Sequence, residues 1–147
     1  MDFLTRIEEL RELCREEGIP LTQQRIEIYK VLLASREHPS PEIIYRKLKS
    51  DFPTLSLATV YNNLEVLSRL GIVRKLNPLS DHARYDGDLS SHTHFVCVKC
   101  KAVEDIESEK IDSIQIPDPP ENGRKILGKT IQFVGICEKC QNEKQEE

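Results

Sequence analysis

Four of the five cysteines in this 147-residue chain fall in two pairs of identical spacing, Cys97-x-x-Cys100 and Cys137-x-x-Cys140. Two residues between cysteines let both thiolates of a pair turn toward one ion. Two such knuckles together offer four soft sulfur ligands in a tetrahedral set that suits zinc. Transient disulfides and an iron–sulfur cluster are the other chemistries open to this spacing. Four protein ligands leave no coordination position for water, so the zinc site is predicted to be structural, stapling the strands around it. Cys14, the fifth cysteine, lies on an apolar stripe and reads as a small buried hydrophobe.

Just before the first knuckle stands a second constellation of Asp86, His92 and His94, with Asp105 a little beyond and Glu104 beside it. On a strand, residues 92 and 94 point to the same side, so two imidazoles can converge on one ion while carboxylates add hard oxygen ligands. Such a mixed nitrogen and oxygen set suits iron(II) or manganese(II) better than a thiolate set does. The competing reading is a polar strand face without a metal. The chain has four histidines, and of the other two His82 is read as exposed and unligated.

These residues need elements to carry them. Asp2 to Glu17 has apolar residues at three- and four-residue steps (Phe3, Ile7, Leu10, Leu13, Cys14) and Gly18 to end it, which predicts an amphipathic helix. Thr22, Ser40 and Ser56 are placed as N-caps of three further helices, the second of which has Pro41 at its first position. The last of these helices turns Val60, Leu64 and Leu67 to a core and Thr59, Asn62, Asn63 and Ser68 away from it. Two extended runs, residues 72–76 and 83–86 around NPLSDH, then suit a hairpin. Helices followed by such a hairpin make a winged helix-turn-helix. Beyond residue 88 the texture changes to short strands (HFVCVKC, AVEDI, KIL, TIQFVGIC) with one weak helix near Lys110–Gln115. The fold class expected is therefore α+β, in two small modules.

Charge is divided in the same way. The chain carries a net charge of −4, yet residues 19–80 hold nine basic against five acidic residues, and residues 81–147 nine basic against fourteen acidic. A basic module joined to an acidic one fits a DNA reader attached to a partner module. In the fourth helix Ala58 and Thr59 suit thymine methyls and Asn62 suits adenine, while Arg25, Arg74 and Lys75 are candidate phosphate contacts. No apolar run approaches the roughly 18 residues that span a membrane, and the amino terminus lacks a secretory core, so a soluble cytoplasmic protein is expected.

At this point the sequence resembles the ferric uptake regulator family of bacterial metal-dependent repressors. The resemblance is carried by LTQQR at residues 21–25, REHPSPEIIY at 36–45, SLATVYNNL at 56–64, GIV at 71–73, RYD at 84–86, SHTHFVCVKC at 91–100 and GICEKC at 135–140. It implies a winged-helix domain over residues 1–84, a hinge at 85–90 and a zinc-stapled α/β dimerisation domain over 91–147. It also implies a homodimer acting on palindromic A·T-rich double-stranded DNA. Carried over residue by residue, the family's regulatory site takes His38, Asp86, His92, His94 and Asp105, and Tyr61 joins the DNA-contacting set.

Aspartates at 86 and 105, Tyr61-Asn62-Asn63 in the reading helix, and the lack of further histidines resemble the family's peroxide-sensing branch more than its iron-uptake branch. That resemblance implies oxidation of His38 or His92 at an iron(II) site, with manganese(II) supporting repression without the oxidation. The iron-uptake repressor is the alternative. A hydrolase using the His/Asp cluster lacks a general base and a substrate pocket in the sequence, so a regulator rather than an enzyme is expected. A zinc-ribbon module without DNA binding is the remaining reading. Two departures from the family pattern stand out. Lys101 replaces a common glycine, and Pro117, Pro119 and Pro120 interrupt the segment where a longer helix is usual.

Overall fold

A computed structural model describes residues 2–76, 83–90, 92–115, 123, 129 and 131–143. The chain divides into two compact units, Met1–Leu89 and Ser90–Glu147. The NPLSDH turn with His82, the KIL run and the prolines at 117, 119 and 120 lie outside the described residues.

The first unit begins with four helices, α1 (Phe3–Glu16), α2 (Gln23–Ala34), α3 (Pro41–Leu48) and α4 (Leu57–Arg69). Each of the last three starts where a hydroxyl side chain takes up a backbone N–H left over by the first turn. Thr22 accepts from Arg25, Ser40 from Ile43 and Ser56 from Thr59. Gly71, at φ 75°, ends α4 in a left-handed turn in which Ile72 N–H reaches back to the Leu67 carbonyl. Strands β1 (Arg74–Leu76) and β2 (Arg84–Asp86) then pair antiparallel, with Arg74 opposite Asp86 and Leu76 opposite Arg84. One apolar core joins the helices and the hairpin, with Leu10, Cys14, Ile28, Tyr29, Leu32, Ile44, Val60, Leu64, Leu67, Val73 and Tyr85 all buried.

Two features differ from the sequence reading. Phe3 is 42% exposed, one turn short of where α1 meets the core. Asn63 was expected on the outward face of α4 but is buried, its amide donating to the Thr59 carbonyl at 2.9 Å. It lies three residues after Val60 and four before Leu67, so helical geometry puts it on the apolar stripe despite its polar side chain.

In the second unit β3 (Thr93–Cys97) is the central strand of a sheet ordered β4-β3-β5. It runs antiparallel to β4 (Val103–Ile106) and parallel to β5 (Gln132–Gly135). The short α5 (Glu109–Asp112) falls in the crossover that the parallel pairing requires. A one-turn helix, α6 (Glu138–Asn142), follows Cys137. Among the described residues of this unit the buried apolar side chains are Val96, Cys97, Val103, Cys137 and Cys140, and Phe95 packs against the cysteines. Three of these five are cysteines, so a metal held by them would add to what so few buried side chains supply.

Candidate metal centres

Four elements deliver the four cysteines. Cys97 ends β3, the turn after it presents Cys100, Cys137 follows β5, and the first turn of α6 turns Cys140 inward. All four sulfurs lie within 4.8 Å of one another, and Cys100 Sγ is 3.7 Å from Cys137 Sγ. A zinc–sulfur bond of about 2.3 Å sets tetrahedral sulfurs about 3.8 Å apart, so this spacing fits one ion shared by four thiolates. A disulfide needs about 2.0 Å, and all the cysteines are free thiols.

The electrostatics of the cluster also call for a cation. Backbone N–H groups of Cys137 and Cys100 favour the Cys97 thiolate and bring its pKa down to about 6. Burial, followed by hydrogen bonds among the thiols, pushes Cys140 up to about 12. The protein alone stabilises part of the negative charge, and a divalent ion is what makes four adjacent thiolates tolerable. The first knuckle closes through Lys101, which sits at φ 63° while its N–H donates to the Cys97 carbonyl. That left-handed conformation explains why glycine suits the position better.

Within the second unit, His92 Nε2 lies 3.2 Å and His94 Nε2 3.4 Å from Asp105 Oδ1. The two rings stand edge to face with centroids 4.6 Å apart. Register selects the acid: Asp105 lies opposite His94, whereas the adjoining Glu104 lies opposite Phe95. Sequence spacing leaves those two carboxylates equivalent. His92 Nδ1 is 2.9 Å from the Ser90 carbonyl, a contact that only a ring N–H can make favourably. The Nε2 lone pair of a neutral His92 then points toward the carboxylate. Lone pairs and a carboxylate brought this close repel one another unless a proton or metal ion lies between them. The Ser90 carbonyl is a supporting group that spacing gives no means of finding.

Within the first unit, His38 Nδ1 is 3.5 Å from Asp86 Oδ1, and both side chains are 2% exposed. His38 adopts φ 48° immediately before Pro39, a combination of left-handed backbone and proline that costs about 1–3 kcal/mol and collects at functional sites. Two contacts to β2 hold the loop that carries it. Tyr85 N–H donates to the Pro39 carbonyl at 3.3 Å, and Arg84 donates to the His38 carbonyl at 3.5 Å. Asp86 in turn accepts from Asp88 N–H at 2.8 Å. Downstream, Arg6 donates to the Gly87 carbonyl at 2.6 Å and Arg74 to the Leu89 carbonyl at 3.1 Å. The chemistry of the donors, imidazoles with carboxylates, fits iron(II) or manganese(II).

On α4, Ala58, Tyr61 and Asn62 are exposed and Thr59 is half-buried. Tyr61 O–H donates to Glu42 on α3 at 2.8 Å, a partner the sequence does not signal. Three candidate phosphate contacts have partners inside the protein: Arg25 donates to the Pro20 carbonyl, Arg74 to Leu89 as above, and Lys75 lies 3.3 Å from Glu65. Among the described residues no helix is long and apolar enough to cross a membrane.

A winged helix-turn-helix followed by a module with a four-thiolate cluster and a His/Asp cluster defines a metal-dependent transcriptional regulator. The chain belongs to the ferric uptake regulator family, whose sequence model matches residues 16–134. It is 32% identical over 136 residues to the peroxide-responsive repressor PerR of Staphylococcus aureus strain Mu50, covering 92% of each chain. It is 33% identical over 128 residues to the peroxide-responsive repressor PerR of Staphylococcus saprophyticus, covering 87% of this chain and 86% of that one. Among solved structures, PerR from Streptococcus pyogenes is 36% identical with a TM-score of 0.53, covering 91% of this chain and 92% of that one. The Helicobacter pylori ferric uptake regulator, at 23% identity, shares the fold with a TM-score of 0.83 over 96% of this chain and 95% of that one.

Proposed function

We propose that this protein is a cytoplasmic, homodimeric repressor that holds iron(II) or manganese(II) at His38, Asp86, His92, His94 and Asp105. In this reading the metal-loaded form binds palindromic A·T-rich double-stranded DNA, and hydrogen peroxide releases it by oxidising His38 or His92. The observation that carries the proposal is the approach of His92 and His94 to one oxygen of Asp105, at 3.2 and 3.4 Å. Likeness to relatives named as peroxide-responsive repressors supports the peroxide-sensing branch.

When bound, iron(II) would activate peroxide so that, in net, one peroxide oxygen is placed on a ligand imidazole and the other leaves as water, and manganese(II) would engage the same ligands without this chemistry. The protein's own part is positional. Ser90 fixes the His92 ring, and Tyr85 and Arg84 tie the His38 loop to the wing strand β2, so a change at His38 reaches a DNA-facing element through two hydrogen bonds. Ligands drawn from both modules make metal binding favour one arrangement of the hinge at residues 85–90, and loss of one ligand lowers that preference. The cysteines, engaged by zinc, need not sense anything.

For the dimer, β5 offers support. It lies at the edge of the sheet among the described residues, with Phe133 44% and Val134 55% exposed. An apolar edge strand is suited to pairing with its own copy. For DNA, Ala58, Thr59, Tyr61 and Asn62 are the proposed base-reading set, while Arg25 reaches phosphate by exchanging its Pro20 contact.

A second reading, repression by iron without peroxide chemistry, is favoured by likeness to the Francisella tularensis ferric uptake regulator solved with iron. That protein is 28% identical with a TM-score of 0.70, over 84% of this chain and 96% of that one. The two readings separate in a gel-shift experiment on a duplex selected from a randomised pool, using iron-loaded and manganese-loaded protein. The peroxide sensor leaves the DNA at low peroxide in its iron form only. An iron form that stays bound supports the second reading, and DNA binding indifferent to both metals opposes both.

A further inference from the structure

Tyr61 stands on α4, the second helix of the helix-turn-helix, and is 40% exposed. Its phenol lies 2.8 Å from Glu42 Oε1. Glu42 is in the first turn of α3, where the unpaired amides of the helix end favour a carboxylate. An ionised carboxylate only accepts hydrogen bonds, so the phenol must donate, and its one hydrogen is committed to Glu42. Toward solvent the Tyr61 oxygen keeps only lone pairs. Phosphate oxygens, guanine O6 and N7, and thymine O4 are all acceptors and cannot pair with it. In the major groove the base groups that can donate are adenine N6 and cytosine N4.

We propose that Glu42 is a specificity-determining positioning residue, which by holding the Tyr61 hydrogen makes Tyr61 an acceptor-only reader of an adenine or cytosine amino group. This rests on α4 being the DNA-reading helix. It assigns Tyr61 a base contact rather than a phosphate contact and gives an acidic side chain a use on a surface that approaches a polyanion. The bond to Glu42, and secondarily burial, also raise the Tyr61 pKa, as expected of a phenol that donates to a carboxylate.

The test uses full-length protein loaded with zinc and manganese(II), and duplexes selected from a randomised pool. Wild type is expected to favour adenine or cytosine at one position of each half-site. Tyr61→Phe should lose that preference by about fivefold, the worth of one hydrogen bond. Glu42→Ala, which frees the phenol hydrogen, should admit guanine or thymine at the same position, and Glu42→Gln, whose amide oxygen still accepts, should keep the wild-type choice. A near-ultraviolet titration, with Tyr61→Phe to assign the signal, should show the Tyr61 pKa falling in Glu42→Ala.

Unchanged base preference in Glu42→Ala or in Tyr61→Phe overturns the proposal. So does a uniform loss of affinity on every sequence, or a Tyr61 titration indifferent to Glu42. If wild type enriches no sequence, the DNA-reading assignment fails and the proposal falls with it. That outcome is recognisable because the titration still reports the bond.

Discussion

The amide of Tyr85 donates to the carbonyl of Pro39 across 3.3 Å, joining the wing strand to the loop that carries His38. Through this bond, and the pairing of Asp86 with Arg74 across the hairpin, two proposed metal ligands belong to the same structural piece as the wing. His38→Ala and Asp105→Asn, each altering one proposed ligand, should each weaken manganese(II) binding by at least tenfold while leaving one zinc per chain. Isothermal titration with manganese(II) and a zinc assay on the same samples check this. Loss of zinc in either variant would mean that the two centres are one folding unit.

Zinc removal should affect the second module first. Among the described residues three of its buried side chains are the cysteines 97, 137 and 140, and structural zinc contributes on the order of 10 kcal/mol in small domains. A strong chelator should diminish the β-sheet signal in circular dichroism while the helices and hairpin of the first module persist. Full secondary structure in the chelated protein would contradict this account of the module.

Two substitutions probe the frame around the zinc. Lys101→Gly relieves the left-handed φ of 63° and should raise stability by about 1 kcal/mol. Gly135→Ala does the reverse, since its Cβ would come 2.9 Å from Phe95 Cε2. It should cost about 1–2 kcal/mol, and Phe95→Leu in the same chain should recover part of that loss. Urea unfolding of the zinc-loaded protein measures all three.

Much of this frame is legible in the chain itself. The N-caps Thr22, Ser40 and Ser56 are local chemistry, and each makes the bond its position implies. The two cysteine pairs carry their spacing openly. The burial of Asn63 runs against its polarity and follows its helical phase, between Val60 and Leu67. The choice of Asp105 over Glu104 depends on strand register, and the approach of His38 to Asp86 depends on a bond between residues 39 and 85. Neither follows from local spacing. Helix α6 is one turn long, too short for periodicity to reveal.

Alkaline pH should loosen the first module. Burial raises the pKa values of Tyr29 and Tyr85 above 10.0, so above that pH the unfolded chain releases phenol protons that the folded one retains. Their contribution is complete below about pH 10 and is lost as pH rises through the folded values. Melting temperature plotted against pH should fall more gently above pH 10 in Tyr29→Phe and Tyr85→Phe than in wild type. Identical slopes would refute the assignment.

The central claim, oxidation of a ligand histidine at the His/Asp centre, has one direct measurement. Iron(II)-loaded protein is exposed to low peroxide without air, digested, and its peptides weighed, with manganese(II)-loaded protein treated alongside. The account predicts one added oxygen on the peptide bearing His38 or His92 in the iron form only, together with release from DNA. Unmodified histidines in an iron form that peroxide nevertheless releases from DNA, or oxidation confined to the cysteines, would contradict it.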